Sequence, residues 1–249
     1  MNDINLFDMH NKVVLITGGT RGLGREMALG FARAGADIII ASRKADACEA
    51  VAAEVRAMGR RALGHACHVG HWNELDGLVA AAYETFGRVD VLVNNAGMSP
   101  VVASSLDVTE ALFDKIVGVN FKGCFRLSAL VGSRMAAGSG GAIINISSTG
   151  ALRPQPQFAT YSGAKAALNA ITTAFALEYG PKVRVNAISA GPFLTDVADA
   201  WPEEARRSRP SALGRPGRPS EIVTTALYLA SDHSSFTTGA IVRVDGGLP

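Results

Sequence analysis

The sequence predicts an α/β fold: a doubly wound parallel sheet of about seven strands with helices on both faces. Three observations predict it. Short β-branched runs alternate with longer Ala- and Leu-rich amphipathic stretches along all 249 residues, the pattern of a parallel sheet built from strand-helix units. The strands are mostly uninterrupted apolar runs, as strands covered on both faces are. The first strand also passes through a glycine-rich turn directly into a helix.

The elements follow in order. Strands are expected at 12–17 (KVVLIT), 37–40 (DIII), 61–66 (RALGHA), 89–94 (VDVLVN), 141–147 (GAIINIS), 183–189 (VRVNAIS) and 240–246 (AIVRVDG). Between them lie helices at 23–34, 44–58, 72–86, 109–136, 160–179 and 219–230. No internal repeat or low-complexity linker interrupts this order, and 1–249 reads as a single domain. Residues 192–219 break the rhythm, with five of the ten prolines, Trp201 and a basic cluster. A long irregular insertion is more often a functional lid than a packing element; a plain surface loop is the other reading.

Bulk properties narrow the function classes. Hydrophobic residues make up 48% and charged ones 18%, a folding and soluble composition. A net charge of +2 and one short basic cluster, ARRSR at 205–209, exclude a phosphate-tracking groove for nucleic acid. Cys48, Cys67 and Cys124 are odd in number and widely spaced, which argues against a disulfide framework and fits a reducing compartment. The stretch MNDINLFDMHNK has two aspartates and no basic-then-apolar run, so it is not read as a signal peptide;. No run approaches the roughly 20 apolar residues that span a bilayer. A cytoplasmic protein is expected.

The turn TGGTRGLG places Gly18, Gly22 and Gly24 at G-x-x-x-G-x-G spacing between a strand and a helix. Glycine lets a pyrophosphate approach the backbone closely, and the helix start offers free N–H groups and a positive dipole end. A ribose with a free 2′-OH is usually met by an acidic residue about 20 positions on. The second strand instead ends IIIASRK, with Ser42 and Arg43 at that place and Arg21 inside the turn. Two guanidiniums suit a 2′-phosphate, which arginine pairs bidentately. NADPH/NADP+ is therefore expected over NADH.

In ATYSGAKAAL, Tyr161 and Lys165 stand four residues apart. Positions i and i+4 share a helix face, with Cβ atoms about 5–6 Å apart. An ammonium there favours the phenolate, which makes a proton donor or acceptor usable near neutral pH.

Four motifs in order, TGGTRGLG (17–24), NNAG (94–97), ISSTG (146–150) and YSGAK (161–165), closely resemble the classical short-chain dehydrogenase/reductase family. The resemblance covers essentially the whole chain, through TGAIVRVDGG at 238–247. It implies a Rossmann-type domain and a catalytic set of Asn120, Ser148, Tyr161 and Lys165, with neighbouring Ser147 the alternative to Ser148. In that family's chemistry Ser148 would hydrogen-bond the carbonyl oxygen and Tyr161 would exchange the proton. Lys165 would assist the tyrosine and hold the nicotinamide ribose, and Asn120 would anchor a water linked to the lysine. The implied coenzyme site comprises Gly18, Thr20, Arg21, Gly22, Leu23, Gly24, Ser42, Arg43, His68, Val69, Asn95, Ala96, Gly97, Tyr161, Lys165, Gly191 and Thr195. A homotetramer is implied too, with the 160–179 helix at an interface.

The chain departs from the family twice. The usual aspartate after the third strand is His68, before Val69, and the usual proline before Gly191 is Ala190. The first departure bears on coenzyme affinity, the second on lid order. His65, Cys67, His68 and His71 match no zinc signature, and strand alternation sends neighbours to opposite faces, so no metal is expected. The implied activity is an NADPH-dependent carbonyl reductase or the reverse alcohol dehydrogenase. A sugar dehydratase or epimerase is disfavoured by the glycine spacing, and a non-catalytic NADPH-binding protein by the complete catalytic set. Substrate selectivity is expected from Pro192 to Arg209 and near Met98, Ser99, Arg153 and Phe158. Trp201, Phe193 and Leu194 suggest an apolar wall, and Arg206 and Arg207 either meet an anionic tail or face water. A 3-oxoacyl substrate and a sugar or polyol both remain open.

Overall fold

The computed structural model describes residues 6–249, so the first five residues of the stretch read as no signal peptide lie outside the described residues. The strands are β1 (Val13–Thr17), β2 (Asp37–Ser42), β3 (Ala62–Ala66), β4 (Val91–Asn94), β5 (Gly141–Ser148), β6 (Val183–Ala190) and β7 (Ile241–Val244). The helices are α1 (Gly22–Arg33), α2 (Ala45–Ala57), α3 (Trp72–Phe86), α4 (Glu110–Val117), α5 (Gly123–Ala137), α6 (Ala159–Tyr179), α7 (Glu203–Arg207) and α8 (Val223–Ala230). All strand pairs are parallel, in the order β3-β2-β1-β4-β5-β6-β7. The order reverses between β1 and β4, the switch point outside which doubly wound sheets bind ligands.

Side-chain alternation along the strands divides the core into two layers. Val14, Ile16, Ile38, Ile40, Val93 and Ile144 pack with Met27 and Phe31 of α1, Val51 of α2 and Leu229 of α8. Leu15, Ile39, Leu92, Ile143 and Val185 point the other way, onto Leu78 of α3, Val131 of α5 and Phe175 of α6. Each inner strand is therefore apolar at consecutive positions, which is why the sequence reads as unbroken runs.

The stretch expected as one helix over 109–136 is interrupted. Residues Gly118–Lys122 form a π-helical turn between α4 and α5, and the cause is local. Asn120 Nδ2 donates to the Ile116 carbonyl at 3.0 Å, the group to which the Asn120 backbone N–H would bond in a regular helix. The N–H of Gly123 then reaches back to the Gly118 carbonyl, one residue further than an α-turn requires;.

A line of buried polar groups crosses the sheet's centre. Asn94 Nδ2 donates to Asn145 Oδ1 at 2.8 Å and to Ser128 Oγ at 3.0 Å. Asn145 Nδ2 donates to Thr172 Oγ1 at 2.9 Å, and that hydroxyl donates to the Leu168 carbonyl. Asn145 is fully buried, so its loss strands two partners in a medium without water. Asn145→Ala is expected to lower unfolding free energy by about 2–3 kcal/mol, read as a fall in urea midpoint at unchanged slope.

Candidate active site

The glycine turn is held against the end of β4 by side chains that leave no room between them. Asn95 Nδ2 donates to the carbonyls of Thr17 (2.8 Å) and Gly18 (3.2 Å). The backbone N–H groups of Asn95 and Ala96 both donate to Thr17 Oγ1, at 3.0 and 3.1 Å. Gly18 has φ +64° and Gly22 φ +53°, a backbone region that favours glycine. A Cβ on Gly24 would lie inside the contact radii of the Gly18 carbonyl oxygen and Asn95 Nδ2. The first turn of α1 carries no acidic residue, and Arg21 ahead of it makes no side-chain cap. Bare N–H groups at a helix start, with glycines beneath them, fit the phosphates of a dinucleotide.

The adenine-ribose end lies where Thr20 Oγ1 donates to Ser42 Oγ at 3.2 Å. Arg43 beyond it is exposed. Arg21 does not turn toward it: its Nη1 meets Asp196 Oδ2 at 2.8 Å across the pocket. His68 accepts from the Gly70 N–H on Nδ1 at 3.1 Å. Its ring stacks on His71 with centroids 4.2 Å apart, while Glu74 holds the His68 N–H and His71 Nδ1, each at 2.6 Å. Burial, then the nearby His71 and Arg43, hold the His68 imidazole below its ordinary range. The neutral ring accepting on Nδ1 carries its proton on Nε2. It thus offers a donor where an aspartate would offer only acceptors. Val69 packs its carbonyl on Gly123 at the start of α5, where a Cβ would collide. Among the described residues no group of three His, Cys, Asp or Glu side chains could hold a metal ion.

The four residues expected to be catalytic gather at the C-terminal ends of β4 and β5. Asn120 is fully buried, and its carboxamide clamps Met98, accepting from the N–H at 3.2 Å and donating to the carbonyl at 2.9 Å. Lys165 is 3% exposed, and its Nζ donates to the Ile146 carbonyl at 2.7 Å. A Cβ on Gly97 would fall 3.0 Å from Asn120 Oδ1 and 3.6 Å from Lys165 Nζ, so the glycine of NNAG lets both side chains close on the end of β4. Lys165 Nζ stands 6.0 Å from the centroid of the Tyr161 ring. A Cβ on Gly150 would meet Ser148 Oγ at 3.4 Å and the Tyr161 ring at 3.7 Å, which puts both groups next to one small residue. Ser148 Oγ accepts from the Gly150 N–H at 3.0 Å and keeps its proton to donate. Ser147 is 3% exposed within the sheet, so the geometry favours Ser148.

The remaining expected residues sort differently. Gly191 donates its N–H to the Val244 carbonyl at 2.9 Å, and a Cβ there would strike Asp245, so it joins the ends of β6 and β7. The Thr195 methyl lies 3.2 Å from a Cβ built on Gly22, at the phosphate end. Phe193, expected in an apolar wall over the substrate, is instead 6% exposed and packs with the core on the α1 side. Leu194 and Thr195 start a cavity of about 370 Å³ shared with Gly22, Arg25, Asp196 and Arg206. Arg206 is bound to the Asp199 carbonyl and Arg207 to Glu203, while Trp201 lies under the Arg209 guanidinium at 3.9 Å. Sequence reasoning missed three residues. Thr17 opens the motif TGGTRGLG, where spacing alone assigns it no role. Asn145 looked like one more strand residue. Asp196 was signalled only by its charge beside Thr195.

Comparison with known proteins agrees with this geometry. The family described as enoyl-(acyl carrier protein) reductase matches residues 18–249. An uncharacterized oxidoreductase of Mycobacterium tuberculosis is 41% identical, covering 98% of this chain and 95% of its own. A short-chain type dehydrogenase/reductase from Mycobacterium marinum is 34% identical with a TM-score of 0.91, covering 97% of this chain and 96% of that one. A 7α-hydroxysteroid dehydrogenase complexed with NADH and 7-oxo glycochenodeoxycholic acid is 32% identical with a TM-score of 0.93, covering 99% and 98%.

Gly24→Ala tests the phosphate cradle. Overpacking of this kind destabilises by about 1–3 kcal/mol, and the turn must shift off Asn95. Nicotinamide dinucleotide binding by fluorescence titration is expected to weaken at least tenfold, while circular dichroism keeps its folded α/β signature.

Proposed function

The chain belongs to the classical short-chain dehydrogenase/reductase family, and on that premise we propose an NADPH-dependent oxidoreductase in which Tyr161 is the acid/base. Its reaction moves hydride between the nicotinamide and a carbonyl or secondary alcohol. The observation that carries this reading is the placement of Ser148 and Tyr161 around Gly150, with the buried Lys165 ammonium behind them.

The nicotinamide, once bound, supplies or accepts the hydride. Everything else falls to the chain. During reduction negative charge grows on the substrate oxygen, and the Ser148 hydroxyl donates to it while Tyr161 delivers its proton. During oxidation Tyr161 takes the proton back. The Lys165 ammonium, with one of its three N–H groups on Ile146, stabilises charge on the phenol oxygen and keeps donors for the nicotinamide ribose. Both ends of the Asn120 carboxamide are used on Met98 and Ile116. A water joined to the lysine would rest on the second lone pair of Asn120 Oδ1 or on its main-chain carbonyl, which Cys124 Sγ also meets at 3.6 Å;.

NADPH is favoured over NADH because no carboxylate stands at the end of β2 to meet a 2′-OH, whereas Ser42 and exposed Arg43 do stand there. With Arg21 held by Asp196, Arg43 is the guanidinium free to pair the 2′-phosphate. Residues 192–219 serve as the substrate lid, anchored by the Phe193–Gly217 bridge at one side and by Ala212 and Leu213 on Gly247 and Gly246 at the other. Free, buried cysteines support a reducing, cytoplasmic setting. Leu177 on α6 and Phe125 on α5, both exposed, support packing of these helices in a homotetramer. A 3-oxoacyl thioester and a sugar or polyol are both compatible as substrates. A bulky cyclic ketone joins them because a structural neighbour holds a 7-oxo bile acid.

The test is coenzyme consumption against an acetoacetyl thioester, a crotonyl thioester, a keto-sugar, a steroid ketone and a diketone. Turnover of one carbonyl class is expected, with Tyr161→Phe lowering it by roughly 10²–10⁴-fold and leaving coenzyme binding within a few-fold. Turnover of the crotonyl thioester alone would mean C=C reduction, and turnover surviving in Tyr161→Phe would remove the tyrosine from the chemistry. Arg43→Ala is expected to weaken NADPH roughly tenfold by loss of a charge-assisted pair and to leave NADH unchanged. Wild-type protein binding NADH as tightly as NADPH would refute the coenzyme assignment.

A further inference from the structure

Arg21 stands between a carboxylate and the place proposed for a coenzyme phosphate. On one side the Thr20–Ser42 hydrogen bond of 3.2 Å brings the following residues, Arg21 and Arg43, to the same end of the sheet, where a 2′-phosphate would sit. On the other side the Thr195 methyl stands against Gly22, which brings Asp196 alongside the turn. Arg21 precedes α1 in extended conformation and its side chain caps nothing, so the guanidinium is free to choose. Here it has chosen Asp196, at 2.8 Å.

Asp196 has no other ion pair among the described residues. Arg25, which lines the same cavity, is held by Glu54 at 2.6 Å and lies 3.8 Å from Glu26. Arg206 spends a donor on the Asp199 carbonyl. Asp199 lines the cavity as well, yet it makes no ion pair with Arg21. The contest over Arg21 is therefore between Asp196 and whatever anion arrives beside Ser42.

We propose that Asp196 is a coenzyme-discriminating residue, which competes with the 2′-phosphate of NADPH for the Arg21 guanidinium. The proposal rests on the dinucleotide reading above and deepens it. NADH lacks the 2′-phosphate and leaves the Arg21–Asp196 pair closed. NADPH draws Arg21 toward Ser42 and Arg43, and the lid then keeps the Thr195 contact with the glycine turn but loses its ionic tie to it. Asp196 thus lowers the preference for NADPH that the two arginines would otherwise give. Both side chains are more than half exposed, at 68% and 52%, so solvent screens the pair. The effect is accordingly a modest one, roughly two- to fivefold in affinity.

The experiment is titration of NADPH and NADH, by coenzyme fluorescence and calorimetry, into wild type, Asp196→Asn, Asp196→Ala and Asp199→Asn. The same pair of titrations is run in an Arg21→Ala background with and without Asp196→Asn. Asp196→Asn is expected to tighten NADPH roughly two- to fivefold and leave NADH unchanged. Asp196→Ala should do the same even if an asparagine amide still holds Arg21. Asp199→Asn removes equal charge from the same segment and should not change the NADPH/NADH ratio. With Arg21 absent, Asp196→Asn should have no effect on the ratio.

An unchanged ratio in both Asp196 variants overturns the proposal. So does a shift that Asp199→Asn reproduces, or one that persists without Arg21. Failure of the coenzyme assignment reads out separately: wild type would then show no preference for NADPH, whereas the competition is read in the change of ratio on mutation.

Discussion

The site depends on one close approach, that of the turn after β1 to the chain leaving β4. Gly24 has no side chain because the Gly18 carbonyl and the Asn95 amide already fill the space where one would go. Thr17 fixes the distance by accepting two N–H groups from Asn95 and Ala96 with a single hydroxyl. The same hydroxyl donates to the Val93 carbonyl at 3.4 Å, which ties the contact back into the sheet. Two segments far apart in sequence thus become one surface at the switch point. Any added atom at Gly24 or Gly18 would separate the phosphate cradle from the segment that carries Gly97 and Met98.

From that contact the constraint passes inward to the groups proposed to be catalytic. Asn94 binds Asn145, Asn145 binds Thr172, and Thr172 belongs to α6, the helix that presents Tyr161 and Lys165. Buried polar chains of this kind fix register, because every member loses its partner if the helix slides. The Lys165 ammonium is the costly member. It is almost wholly buried, and its hydrogen bond among the described residues is to a neutral carbonyl, with no carboxylate to offset its desolvation;. A fold built for stability alone would place an apolar residue there. On the proposed function, a buried lysine near a tyrosine is stability given up for chemistry.

The fold was legible because its strands repeat one rule. Strands of four to eight residues rich in Val, Ile and Leu, separated by Ala-rich helical stretches, admit few arrangements other than a doubly wound sheet;. The break at Gly118–Lys122 was not legible from periodicity, since Phe113, Val117, Phe121 and Phe125 recur every fourth residue as on one helix face;. It arises from one hydrogen bond of the Asn120 side chain to Ile116. The site was legible where a motif carries its own geometry, as in the glycine turn and the i, i+4 pair. It was illegible where partners meet by folding alone. Nothing along the chain announces that Arg21 would face Asp196, 175 positions away, or that Phe193 would turn into the core rather than toward the substrate.

The irregular segment 192–219 shows why reaction type and substrate are separable in this protein. The groups proposed to move protons sit on β5 and α6, elements fixed by the sheet and by the buried amide chain. The segment is fixed differently, through backbone hydrogen bonds of Leu194 and Gly217 at its base and of Ala212 and Leu213 to Gly247 and Gly246. Those tail glycines adjoin Leu248, whose carbonyl is held by Arg153 at 3.1 Å from the loop after Ser148. Between these anchors Arg206 and Arg207 are already engaged, by Asp199 and Glu203. Side chains there can change without disturbing the backbone bonds that position the segment. Loops on a rigid scaffold can therefore diverge in what they admit while the scaffold keeps what it does. On the function proposed for this chain, the reaction type follows from the sheet, whereas the choice of substrate falls to residues 192–219, which obey no periodicity.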